Sequence, residues 1–196
     1  MKKIILTAAA VFAISFANAQ DKKDSGFGFA KGDVVVGGNI SYSSNDNGTT
    51  KTTSSTFSPQ LGYFISDNLA LGAGLTIGSM DNGTTKASSF GLDLEGRYYF
   101  LNLGERFKTY TNFGFGFGSM DSGLAGADKV KTFSLGGGLG MNYFVTSKLA
   151  INWGLSNILS YGSQKVGSSS TTNVDLNVNV FQNFFNTPTF GLVYKF

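Results

Sequence analysis

Three observations predict an all-β fold, an eight-stranded antiparallel up-and-down β-barrel that crosses a membrane. Apolar residues alternate with small or polar ones through segment after segment, the period of strands whose two faces meet different surroundings. The connections between these segments are alternately long and short. After the first nineteen residues no apolar run approaches the ~20 residues of a membrane-spanning helix.

Residues 1–19 read as a signal peptide and stand outside the fold. Lys2 and Lys3 give its positive end, residues 4–16 its apolar stretch, and Ala17-Asn18-Ala19 a small-x-small cleavage pattern, so cleavage is expected before Gln20. No Cys follows, which excludes a lipoprotein signal. Residues 20–32 are polar and glycine-rich, with Lys22, Lys23 and Asp24, and are expected to form a flexible lead on the periplasmic side. The barrel is assigned to residues 33–196.

Strand one is expected over residues 33–43, with Val34, Val36, Ile40 and Tyr42 on one face and Val35, Asn39, Ser41 and Ser43 on the other. Strand two (56–65) turns Phe57, Leu61, Tyr63 and Ile65 one way. Strand three (69–79) sets Leu69, Leu71, Ala73, Leu75 and Ile77 against Ala70, Gly72, Gly74, Thr76 and Gly78. In strand four (88–100), Phe90, Leu92, Leu94, Tyr98 and Phe100 alternate with Gly91, Asp93, Glu95, Arg97 and Tyr99. Strand five (107–118) alternates Phe113, Phe115 and Phe117 with Gly114, Gly116 and Gly118. Strand six (132–144) opposes Phe133, Leu135, Leu139, Met141 and Tyr143 to Ser134, Gly136, Gly138, Gly140 and Asn142. Strand seven (149–161) opposes Ile151, Trp153, Leu155 and Leu159 to Asn152, Gly154, Ser156 and Ser160. Each is close to the ~9–11 residues with which a tilted strand crosses hydrocarbon.

Residues 172–196 alternate in two stretches separated by Asn186-Thr187-Pro188. Two strands there would make nine, whereas single-chain bacterial barrels have even numbers. Val174 and Phe196 share a parity, so one long eighth strand is expected, bent near residues 183–188 with Pro188 where a missing N–H matters least.

The polar connections 45–55, 80–87, 120–131 and 162–171 are read as loops exposed outside the cell, and 66–68, 101–106 and 146–148 as periplasmic turns, the asymmetry of bacterial membrane barrels. Asp46-Asn47-Gly48-Thr49-Thr50-Lys51 recurs as Asp81-Asn82-Gly83-Thr84-Thr85-Lys86, so the repeating unit is a hairpin. Tyr63, Tyr98, Tyr143 and Tyr194 each end a descending strand and are expected to form a periplasmic aromatic girdle, where amphipathic rings favour the interface.

The chain has 27 Gly, two Pro, no Cys and no His. Disulfides are therefore excluded, and the commonest general base and metal ligand is missing. The net charge of +3 includes Lys2 and Lys3, so the rest is nearly neutral, without the basic patch that nucleic-acid binding requires. A mean hydropathy of +0.02 is compatible with a barrel, whose strands show lipid only every second residue.

Asp93, Glu95 and Arg97 form the charged cluster of the strands, on the inward face with Tyr99. A carboxylate pair suggests acid–base chemistry. The plainer reading is that these charges pair with one another and with Lys195 or Asp175, filling an interior that eight strands leave just wide enough for side chains. The glycine runs of strands five and six precede no helix that could hold phosphate. Asp-Asn-Gly lacks the spacing of a calcium loop and reads as a tight-turn signal. No catalytic, cofactor-binding or metal-binding residue is assigned, and no cofactor is expected.

Phe190, Leu192, Tyr194 and Phe196 share one face of the final strand, and the sequence ends on that aromatic. With the signal peptide, the eight alternating segments and the Tyr-aromatic strand ends, it resembles the small outer-membrane β-barrel family of OmpX and OmpA transmembrane-domain type, a porin-family barrel. The resemblance covers almost the whole mature chain. It implies the outer membrane of a Gram-negative bacterium, outer-membrane lipids as surroundings, and recognition of the strand face of Phe190, Leu192, Tyr194 and Phe196 by the barrel assembly machinery. Enzymes of that family use a catalytic His that has no counterpart here. The expected function is therefore a non-enzymatic, monomeric barrel with a plugged lumen, structural or binding a surface ligand through its loops. A narrow pore for small solutes and a soluble periplasmic ligand-binding barrel are the alternatives.

Overall fold

A computed structural model describes residues 26–176 and 189–196. These form nine strand segments: β1 (Val34–Asp46), β2 (Lys51–Phe64), β3 (Leu69–Asp81), β4 (Lys86–Leu103), β5 (Phe107–Asp121), β6 (Val130–Phe144), β7 (Leu149–Val166), β8 (Ser169–Leu176) and β9 (Thr189–Lys195). Successive strands from β1 to β7 pair antiparallel. β9 lies between β7 and β1 and closes the ring, pairing Ile151 with Leu192 on one side and Val36 with Tyr194 on the other. β1 to β7 with β9 make a closed eight-stranded barrel.

β8 and β9 share one neighbour. β8 runs beside Leu159–Val166 of β7 and β9 beside Leu149–Gly154, so both follow the same strand position. This is the arrangement expected of a long, interrupted eighth strand. The bend expected near residues 183–188 lies outside the described residues.

The period-two pattern becomes the two surfaces of the wall. Phe57, Leu71, Ile77, Phe90, Leu92, Leu94, Phe113, Phe115 and Phe117 all lie exposed on the outside. In water such a belt would far exceed the apolar patches that soluble proteins expose. Against lipid it is at home, and closure leaves the ring no unpaired edge within its paired length.

Regularity is broken in three places. Tyr99 pairs with Tyr110 but Leu101 with Thr109, so Phe100 is an extra residue in β4. Two further shifts fall in the β6–β7 pairing, between Gly137 and Gly138 and between Leu139 and Gly140. Each inserts one residue into β7. Strict alternation fails between them: Leu155, expected on the lipid face, lines the internal cavity together with Asn157.

The polar stretches expected as loops are largely strand. β1–β2 and β3–β4 continue as paired hairpins to turns of residues 47–50 and 82–85, and β7–β8 turns through Gly167 and Ser168 alone. Ser and Thr tolerate an extended ladder well, and the Asp-Asn-Gly-Thr motif makes the reversal. In both copies glycine takes φ of +82° (Gly48, Gly83), and its N–H donates to the preceding Asp at 2.9 Å. At the opposite end, Ser66 and Thr146 cap short turns by accepting the N–H of Leu69 (3.0 Å) and Leu149 (2.9 Å).

Candidate functional site

At the short-turn end, inward side chains build a floor. Phe64 and Phe144, fully buried, come from the last residues of β2 and β6, and Tyr99 and Tyr110 from β4 and β5. The ring of Phe29, from the segment before β1, fills the space between them. It stacks on Phe64 at 4.3 Å and meets Tyr99 at 4.9 Å and Phe144 edge-on at 5.0 Å. Tyr99 and Tyr110 continue the cluster at 5.3 Å. Such offset and edge contacts each add about 0.5–1.5 kcal/mol beyond burial.

The part of the lead within the described residues is thus packed against the barrel, where a flexible segment was expected. Its backbone is stitched to β2: Gly32 N–H donates to Phe64 O (2.7 Å) and Phe64 N–H to Asp33 O (2.9 Å). The buried Asp33 carboxylate accepts from Ala30 N–H at 2.8 Å, and Asp67 accepts from Lys31 N–H at 2.8 Å. The Arg106 guanidinium lies over the Phe27 ring at 4.3 Å. From β9, the buried Lys195 ammonium donates to Gly26 O (3.2 Å) and Gly28 O (2.9 Å). Gly28 takes φ of +135°, which an L side chain would resist, and this lets the chain turn while its carbonyl faces the lysine.

Above the floor lies a polar layer. Asn142, fully buried, accepts from Tyr99 OH (3.4 Å) and Asn152 Nδ2 (3.2 Å), and Asn152 also donates to Tyr110 OH at 2.8 Å. Arg97 pairs with Glu95 at 2.6 Å, donates to Gln60 Oε1 at 3.3 Å and lies over the Tyr110 ring at 4.9 Å. Asn112 Nδ2 donates to Glu95 at 3.5 Å. Among the described residues, three buried polar atoms, Arg97 Nε, Asn142 Nδ2 and Thr109 Oγ1, have no hydrogen-bond partner.

The described residues leave the interior above this layer unfilled. Cavities of about 510 and 340 Å³ adjoin, both bordered by Gln60, Glu95, Asn112, Asn157 and Ser160. Asp175 lines the first, and Asp93, Gly114, Gly116 and Gly136 line the second. This departs from an interior packed with side chains, because glycine supplies no volume where the wall faces inward. Some of those glycines are themselves required: a Cβ on Gly116 would strike Asp93, and one on Gly140 would strike the Tyr110 ring.

The expected charge cluster is therefore divided. Asp93, Glu95 and Arg97 share the inward face, and Glu95 and Arg97 are joined; Lys195 is in the floor, holding the lead. Tyr63, Tyr98 and Tyr194 are exposed at the short-turn end and Tyr143 is half-buried against Phe107 at 4.7 Å. Phe190, Leu192 and Tyr194 face outward from β9, while Val193 and Lys195 are buried inside. Phe196 is half-buried, with its ring 4.8 Å from Tyr194. Sequence reasoning missed Phe29, Gln60, Asn112 and Asn157. Gln60 and Asn112 lie at inward parity on their strands, whereas Phe29 lies before the alternation starts and Asn157 where the bulges interrupt it. No group of three or more Asp or Glu side chains able to hold a metal occurs among the described residues.

The sequence matches the family model of the outer membrane protein beta-barrel domain over residues 5–196. The chain belongs to this family of Gram-negative outer-membrane β-barrels, which sets aside the soluble periplasmic alternative. Among solved structures it is similar to the outer membrane protein OprG from Pseudomonas aeruginosa (17% identity, TM-score 0.49, 86% of this chain and 98% of that one). It is also similar to the E. coli outer membrane protein W (14%, 0.46, 86% and 99%) and to the N-terminal β-barrel domain of P. aeruginosa OprF (14%, 0.45, 85% and 98%). No curated protein matches the sequence.

Proposed function

We propose that this is a non-enzymatic, monomeric outer-membrane barrel, closed at its periplasmic end by its own N-terminal lead and presenting polar hairpins outside the cell in a structural or surface-interaction role. The observation that carries the reading is Phe29 seated among Phe64, Tyr99 and Phe144, with Lys195 holding the backbone on either side of Phe27. A lead on the short-turn side fits a periplasmic N-terminus, exported by residues 1–19 and cleaved before Gln20. The outward face of Phe190, Leu192, Tyr194 and Phe196 is the surface offered to the barrel assembly machinery. The wall supplies no histidine for acid–base work, and Glu95, a half-buried carboxylate of the inward face, is held by Arg97.

The chamber above the floor favours the narrow pore as the second reading. Conductance of purified mature protein in planar bilayers separates the two. A closed floor gives no steady single-channel steps. Steady steps of uniform size would overturn the plugged-barrel reading in favour of the pore.

A further inference from the structure

We propose that the chamber above the floor is a binding site for a small, neutral, polyhydroxylated solute of the sugar class. The inference goes beyond the closed-floor reading and does not depend on it, since the site is the wall of the chamber and not its base.

The chemistry of that wall selects the ligand. Among the described residues, three carboxylates (Asp93, Glu95, Asp175) share the chamber wall with one guanidinium (Arg97), a balance of −2 when all are ionised. Such a wall repels anions. The carboxylates are spread along it and form no cluster of three able to hold a metal among the described residues. An organic ammonium would satisfy acceptors only and leave the donors unmet.

Those donors are numerous. Gln60, Asn112 and Asn157 each carry a carboxamide, which presents donor and acceptor side by side. Arg97 borders the same cavity and adds a guanidinium to its wall. A hydroxyl both donates and accepts, and neighbouring hydroxyls match the paired atoms of carboxamides and carboxylates. The volume of about 510 Å³ lies within the usual range of small-molecule sites, about 300–1,000 Å³.

The test is an NMR titration of the ¹⁵N-labelled mature protein in a detergent without a sugar headgroup. Glucose, sucrose, putrescine and sulfate are the probes. Saturable shifts of the carboxamide signals of Asn112 and Asn157 are expected with glucose or sucrose, at a Kd on the order of millimolar. Asn112→Ala and Asn157→Leu should each weaken binding about tenfold. Folding of each variant is checked by its heat-dependent gel shift. Asn157, exposed to the chamber, carries the comparison if the Asn112 variant does not fold. The proposal is overturned if neither sugar saturates below about 100 mM, if putrescine or sulfate binds as tightly as the sugars, or if the Asn157 variant binds like the wild type.

Discussion

The ammonium of Lys195 donates to the carbonyl oxygen of Gly28 at 2.9 Å, joining residues 167 positions apart. The lysine is 4% exposed, so its charge depends on what surrounds it. Carbonyl oxygens of Gly26 and Gly28 and the face of Phe144, 5.8 Å away, are part of that environment. Lys195→Met keeps the stem but removes the donors. Tryptic cleavage after Lys31 in the folded protein should then quicken about tenfold or more, since opening of a local segment governs its proteolysis. Unchanged cleavage would mean that the lead is held by its other contacts alone.

Phe29→Ala empties the centre of the floor. The lost packing of this half-buried ring is about 2–3 kcal/mol, below the ~3–5 of a fully buried phenylalanine. Bilayer recordings should show conductance events absent from the wild type. Silence in both proteins would show that the rest of the floor suffices.

Glu95 and Arg97 are worth more together than apart. Arg97→Met leaves a partly enclosed carboxylate without its partner, and Glu95→Gln does the same to the guanidinium. Each should lower the unfolding midpoint in detergent by the equivalent of about 2–4 kcal/mol, while the double variant recovers most of it. Strictly additive losses would contradict the coupling.

Gly140→Ala tests whether the glycines of β6 are spacers. A Cβ there meets the Tyr110 ring, which must shift and release Asn152. Strain of about 1–3 kcal/mol is expected. Gly162→Ala is the control, because a Cβ there meets nothing within 4 Å. Equal stability of the two variants would refute the spacer role.

At the hairpin end, Asp121 accepts from Gly123 N–H at 3.0 Å and lies 3.4 Å from Lys129 Nζ. The Gly123 hydrogen bond, and after it Lys129, holds its carboxyl below the usual carboxylate range. A depressed folded pKa means that this stabilisation is complete above the unfolded value, about 3.9, and is lost as pH falls through the folded one. An NMR titration should place the Asp121 midpoint below that of an ordinary aspartate, with the Gly123 amide moving in step. A midpoint at or above the ordinary value would remove the local turn from the account of acid stability.

Much of this was legible in the sequence because strand periodicity is a local code. Phe113, Phe115 and Phe117 face outward and Glu95 and Arg97 inward, as alternation requires, and the repeated Asp-Asn-Gly-Thr makes the same turn twice. Bulges do not announce themselves in this way. Leu155 was misplaced because an inserted residue resets the parity of the strand beyond it, and nothing in Trp153-Gly154-Leu155-Ser156 marks the insertion. Hairpin length was underestimated, since Ser and Thr serve equally in loops and in exposed strands. The floor was out of reach for another reason: Gly28 and Lys195 meet only once the wall is circular, a relation no window of sequence contains.

That relation sets an order of events. A chain still lacking β9 already carries Phe29 but lacks Lys195, which clasps the carbonyls of Gly26 and Gly28. On the closed-floor reading, joining the wall and securing the lead therefore become a single act.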